Sequence, residues 1–272
     1  MNSNGTVAGK VYLVGAGPGA DDLITMRGLA VLSRADVVLY DALLSPKLLA
    51  QAPEAAERLF VGKRCGRHEM EQPEICRIIV ERAREGKIVV RLKGGDPMIY
   101  GHGGEEALAC KDAGLAFEVI PGICSALGAA SYAGIPLTHR GMASSVAFVT
   151  AHGFAAPTLE GPKWEHLAKA VDTLVIFMGG AKLEGIARSL MEFGRAAETP
   201  VAVISNATCE TQRTILGTLA DIADQASRAR LSTPALIIVG EVSSFTTLLN
   251  WFECEPQARA APTRAPDRFE RS

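Results

Sequence analysis

Residues 10–19 read KVYLVGAGPG and residues 88–97 read IVVRLKGGDP. Each is a short apolar run rich in β-branched residues that breaks into glycines. Each therefore reads as a buried strand, at 11–14 and 88–92, followed by a turn whose backbone is open to close approach. An unbroken apolar run needs cover on both faces, which points to a mostly parallel sheet flanked by helices. The neighbouring sequence keeps that alternation. Met26, Leu29 and Ala30 form a helical face, and Val37–Tyr40 is the next strand. Pro73 opens a helix lined by Ile75, Ile78 and Ile79, which Gly86 stops. A further helix, 105–114, leads to a strand at 117–120.

The segment 121–136, PGICSALGAASYAGIP, is built of small residues that suit a helix packed tightly against another backbone. Beyond it, strands are expected at Val146–Thr150, Thr173–Phe177, 201–204 and 236–239, with an antiparallel hairpin strand at 214–218. A helix carrying Leu183, Ile186, Ala187, Leu190 and Met191 is capped by Gly194. The fold class is thus α/β: two α/β domains with mostly parallel sheets. The expected division is an N-terminal domain at 1–120, a junction at 121–143, a C-terminal domain at 144–253 and a disordered tail at 254–272, where Pro, Ala and Arg leave little to bury.

Composition narrows the function. A net charge of −2 over 272 residues offers no global field for a polyanion, so nucleic acid is not an expected partner. No apolar run reaches the roughly 18 residues that span a bilayer, and Met1 to Lys10 lacks a hydrophobic signal core. A cytoplasmic protein without a membrane partner is the expectation. The six cysteines form no C-x-x-C pair and read as reduced thiols, and the five histidines lack metal-ligand spacing, so no metal site is expected.

Two glycine turns, Gly15–Gly19 and Gly94–Pro97, fall at the carboxyl ends of strands, where open α/β sheets bind ligands. The first is not the dinucleotide fingerprint, because its spacing is G-x-G-x-G with Pro18 inside. Either turn also fits a plain strand-to-helix connection. Asp96 offers a carboxylate suited to a ribose diol or an amino group. Gly62-Lys63-Arg64-Cys65-Gly66-Arg67-His68, with His102 and Arg140, gathers basic groups on loops of a slightly acidic protein. That pattern suits an anionic substrate or a solvated face.

The blocks YLVGAGPGADDLIT, VVLYDALLS, VGKRCGRH, RLKGGDPMIYGHGGEE, PGICSALGAASYAGIPLTHR and LVIFMGG follow one another in the order of a single family. From about residue 10 to 252 the chain resembles the uroporphyrinogen-III C-methyltransferases, which are S-adenosylmethionine-dependent tetrapyrrole methylases. The resemblance implies a homodimer with its site in the cleft between domains. It implies C-methylation of uroporphyrinogen III at C2 and C7, through precorrin-1 to precorrin-2, with S-adenosyl-L-homocysteine as by-product. Cofactor contacts would fall on Pro18, Gly94, Gly95, Asp96, Ile99, Cys124, Ser125, Met178 and Ala207. Substrate contacts would fall on His102, Glu105, Arg140 and Met178, and acid–base roles on Asp41, Lys63 and Arg140.

This chain has Cys124-Ser125 where the family commonly has Thr-Ala, Ala207 where Gly is frequent, and His102 where Arg is common. A histidine can still donate to a carboxylate, but its charge depends on pH. Asp41 and Lys63 also fit a simple ion pair supporting their loops. A methylase of a later corrin intermediate is the nearest alternative, and a silent cofactor-sensing module is one from another class.

Overall fold

The computed structural model describes residues 9–62, 70–151, 162–231 and 233–252. The first sheet contains β1 (Lys10–Gly15), β2 (Val37–Tyr40), β3 (Glu57–Phe60), β4 (Ile88–Lys93) and β5 (Ala116–Ile120) in the order β3-β2-β4-β1-β5. All four pairings are parallel. The helices of this half are α1 (Met26–Leu32), α2 (Pro46–Leu49), α3 (Gln72–Arg84) and α4 (Gly103–Asp112).

The apolar run of β1 is continuous because the sheet is covered on both faces. Val11 and Leu13 pack with Ile75, Ile79 and Ala83 of α3 and Cys110 of α4. Tyr12 and Val14, one residue out of phase, pack with Val31 and Leu32 of α1. The period of two along the strand thus feeds two separate cores. The α3 residues Ile75, Ile79 and Ala83 recur every four positions on one buried face, and Gly86 at φ 84° ends the turn beyond it.

Next comes α5 (Ser125–Tyr132), followed by β6 (Val146–Thr150), α6 (Trp164–Ala170), β7 (Thr173–Phe177), α7 (Leu183–Glu192), β8 (Pro200–Ser205), β9 (Arg213–Thr218), α8 (Ile222–Arg228), β10 (Ala235–Val239) and α9 (Thr246–Leu249). The second sheet runs β6-β7-β10-β8-β9. Mostly parallel pairing holds for the two sheets together, with five of eight pairings parallel, but the second sheet departs from it. Only β6 and β7 run parallel, while β10 is antiparallel to both neighbours and β8 is antiparallel to β9. The reason is the short β8–β9 connection, which permits a hairpin and leaves no room for a crossover helix. The hairpin strand expected at 214–218 is β9.

Small side chains let α5 nest between the halves. Ala126, Ala129 and Ala130 join Val175, Ala202, Ile204 and Ile238 of the second sheet in one core. On the other side, a Cβ added at Gly128 would lie 2.5 Å from Pro18 Cβ. Among the described residues no helix is long and apolar enough to cross a membrane. Cys76, Cys110, Cys124 and Cys209 are free thiols. The proposed tail lies outside the described residues.

Candidate active site

The site follows from topology. Strands β1 and β4 are neighbours, yet the chain leaves β1 towards α1 on one face and leaves β4 towards α4 on the other. Connections that diverge in this way open a crevice at the carboxyl edge. Both glycine turns sit there and are tied together: Ala16 N donates to Lys93 O at 2.8 Å, Gly17 N to Gly95 O at 3.2 Å, and Gly95 N to Gly17 O at 2.7 Å. A third backbone joins them, because a Cβ on Gly15 would fall 2.5 Å from Gly122 Cα. Gly17 and Gly95 adopt φ 86° and 69°, the left-handed region that favours glycine. Asp96 fastens this knot by accepting from Met98 N through Oδ1 at 2.8 Å and from Gly122 N through Oδ2 at 3.0 Å.

Gly94 differs from its neighbours. A Cβ there would meet only Leu43 Cβ, at 3.9 Å, so the space above it is open. Leu43, Met98, Ile99, Tyr100 and Met178 leave apolar surface exposed near these turns.

Elements of the second half close over the edge. Ala20 N donates to Thr208 Oγ1 at 2.9 Å, and a Cβ on Gly19 would lie 2.7 Å from Ala207 O. The Tyr100 hydroxyl donates to Phe148 O at 2.8 Å, and its ring packs 4.9 Å from that of Phe177, immediately before Met178. Tyr100, His102, Met178, Asn206 and Thr208 all have φ between 47° and 66°. Left-handed backbone at a β-branched residue such as Thr208 costs about 1–3 kcal/mol, and such strain clusters at functional sites. Thr208 is held by the Ala20 bond and by its own N–H donating to Gln212 Oε1 at 2.7 Å.

Pro18, Gly94, Gly95, Asp96, Ile99, Cys124, Ser125, Met178 and Ala207 therefore gather around one cleft. Cys124 lies immediately before α5, and Ser125 Oγ would stand 3.1 Å from a Cβ on Gly95. His102 and Glu105 are exposed beside the cleft, paired at 2.9 Å between Nδ1 and Oε1, and His102 holds the Glu105 carboxyl below its usual pKa. Lys63 lies outside the described residues.

Asp41 follows β2 on the same edge, and its partner is Arg91: Oδ1 stands 2.7 Å from Nη2. Arg91 is only 3% exposed and reaches Glu106 Oε1 through Nε at 3.0 Å. Lys93 Nζ meets the same oxygen at 2.8 Å, and Gln72 Nε2 does so at 3.2 Å. Burial opposes the Arg91 charge, but Asp41 and Glu106 outweigh it and raise its pKa. Burial, with Arg91 beside it, pushes the Lys93 ammonium down. Sequence reasoning passed over Arg91, Lys93 and Glu106 as a group. The available signal was two cations at alternate positions of a buried strand, which require a buried counter-charge.

Arg140 is not brought to this cleft. Its loop, 138–144, lines a shallow hollow with Asp172, and Ser144 and Ser145 donate four hydrogen bonds to Asp172 Oδ2 at 2.8–3.0 Å. Asp172 precedes β7 and Met178 follows it, so six residues at about 3.3 Å each put the two roughly 20 Å apart. Those four bonds hold the Asp172 carboxyl down to about 2 from 3.8. A depressed carboxyl stabilises the fold above its unfolded pKa, and that contribution is lost as pH falls from about 4 through 2. Asp172→Asn should therefore melt below the parent at neutral pH, with the gap closing across that window. Thermal melts at both pH extremes check this; a gap that does not depend on pH would overturn it.

The profile of a family described as tetrapyrrole (corrin/porphyrin) methylases matches residues 10–223. The chain belongs to that methylase family. A uroporphyrinogen-III C-methyltransferase of Priestia megaterium is 48% identical to it over 238 residues, which is 88% of this chain and 100% of that protein. Siroheme synthase 1 of Serratia proteamaculans (strain 568) is 50% identical over 95% of this chain but only 53% of its own length. The methylase chain thus spans about half of the siroheme synthases it matches. The solved structure of a Thermus thermophilus uroporphyrin-III C-methyltransferase complexed with S-adenyl homocysteine is similar, with a TM-score of 0.74 and 39% identity. That likeness covers 87% of this chain and 99% of the other.

Proposed function

We propose that this methylase transfers methyl groups from S-adenosylmethionine to uroporphyrinogen III, at C2 and then C7, giving precorrin-2 and S-adenosylhomocysteine. The observation that carries the reading is the open cradle at Gly94, set in the crevice between β1 and β4 among backbones that are otherwise packed to contact. The fit to an adenosyl group is favourable, because the glycines present backbone groups and the rim is apolar. Pro18, Gly94, Gly95, Asp96, Ile99, Cys124, Ser125, Met178 and Ala207 would hold it. When bound, S-adenosylmethionine supplies an activated sulfonium methyl group.

The chain's own residues align, shield and move a proton. The turns and Met178 fix the cofactor side of the cleft, and His102 and Glu105 flank its mouth, where substrate carboxylates can be met. A pyrrole carbon would take that methyl group with its own electron pair, and the methylated macrocycle would then have to shed a proton. Asp41 would take it: its carboxylate is part-exposed at the carboxyl edge, and Arg91 meets it through Oδ1.

We further assign 1–120 and 144–253 to two domains joined through 121–143, and a cytoplasmic homodimer. Leu127, Leu248, Leu249 and Trp251 leave apolar surface beside α5, the kind of surface a second copy would cover. The expected result with pure protein, S-adenosylmethionine and reduced uroporphyrinogen III is the addition of two methyl groups, read by mass spectrometry. Intact, unmethylated substrate under anaerobic conditions would refute the reading, and turnover confined to a later corrin intermediate would favour that alternative.

A further inference from the structure

The ion network beneath the cleft is buried except at one end, which emerges at Asp41. Its core is Glu106, fully buried on α4. Arg91, Lys93 and Gln72 all aim donors at Glu106 Oε1, while Oε2 is buried without a hydrogen-bond partner among the described residues. So lopsided an arrangement is costly, because a buried carboxylate oxygen without a donor forfeits its hydration. It does fix one thing well. Glu106 holds Arg91 Nε at 3.0 Å, the Leu92 carbonyl accepts from Nη1 at 3.2 Å, and the only guanidinium nitrogen left over, Nη2, reaches Asp41 Oδ1 at 2.7 Å. The planar fork leaves little freedom in that last bond. Asp41 is part-exposed just past the end of β2, and among the described residues Arg91 is the group that holds its carboxylate.

We infer that Arg91 is a positioning residue that locks the Asp41 carboxylate with Oδ2 turned to the cleft, and that Glu106, neutralised by Lys93, exists to hold Arg91. This rests on the reading of Asp41 as the proton acceptor. Charge supports the division of labour. Arg91 and Lys93 balance Asp41 and Glu106, so the buried pair Arg91–Glu106 can be removed together while leaving Lys93 and Asp41 in balance.

The test uses that balance. Replacing both partners of a buried pair by neutral groups of similar volume is tolerated far better than removing one. The double variant Arg91→Met with Glu106→Gln should therefore fold, bind S-adenosylmethionine within about threefold of the parent, and keep KM for uroporphyrinogen III within about threefold, yet lose kcat by at least about tenfold. Arg91→Lys should recover little of kcat, because a point charge cannot bridge Glu106, a carbonyl and Asp41 at once. Asp41→Asn is measured alongside, and the triple variant should be no slower than Asp41→Asn alone. Undiminished kcat in the folded double variant overturns the inference and leaves Asp41 its role. Losses that multiply in the triple variant also overturn it, since Arg91 would then act apart from Asp41. Full activity in Asp41→Asn removes the proton-acceptor reading itself, and the positioning role with it. A double variant that fails to fold is replaced by Arg91→Lys alone, which keeps the buried charge balance, and the same kcat loss at unchanged cofactor affinity is required of it.

Discussion

Gly94→Val is expected to leave the fold intact and to weaken S-adenosylmethionine binding by at least about 100-fold, or roughly 2.7 kcal/mol. The two halves of that expectation come from one measurement. A Cβ at Gly94 touches nothing closer than Leu43 at 3.9 Å, so the folded chain has room for the new side chain. The room it takes is the space assigned to the cofactor. Gly95 makes a poorer test, because its φ of 69° strains any side chain and a Cβ would already press on Ser125. Calorimetric titration with a thermal melt beside it decides the matter. Affinity within about threefold of the parent would reduce the turn to a structural connection.

Gly122→Ala should show the opposite behaviour. Its Cβ would be driven into the Gly95 carbonyl oxygen and would stand 2.7 Å from Gly15 Cα. Those are backbone atoms of two parallel strands' turns, so no change of rotamer relieves the clash. Overpacking that cannot relax costs about 3 kcal/mol, the upper end of the usual range, which for a chain of this size lowers the melting temperature by roughly 6–12 °C. Gly94→Ala, two strand ends away, should stay within about 0.5 kcal/mol of the parent. If Gly122→Ala melts with the parent, the contact of three glycine backbones does not hold this edge together.

The sequence carried most of this fold because its strands are short, apolar and punctuated. KVYLVG and IVVRLK announced β1 and β4, and the glycines after them announced the crevice. What it concealed has physical reasons too. The edge strand β3, ERLF, sets two charged residues before two apolar ones, so its four positions show no alternation and do not stand out from a loop. The antiparallel placing of β10 depends on where a strand inserts, and its residues ALIIV fit either direction once both faces are covered. Arg140 looked like a site residue through the company it keeps in the sequence, yet α5 carries the chain from the cleft to the far edge of the second sheet before Arg140 is reached. Distance along the chain hid that, just as it hid the meeting of Arg91 with Glu106 across a strand and a helix.

The cleft is fastened at two separate points. Ala20 is bonded to Thr208 on one flank, and Tyr100 to the Phe148 carbonyl on the other. A hinge needs one flank that is free to swing, and these two bonds hold both flanks of the cleft. Its width is therefore set during folding and not by the guest it receives. The free energy of association goes into contacts alone, with none diverted to drawing two lobes together. The same clasps tie exchange of spent for fresh cofactor to side chains moving at the rim, on the fast timescale of rotamers, and not to the slower travel of a domain.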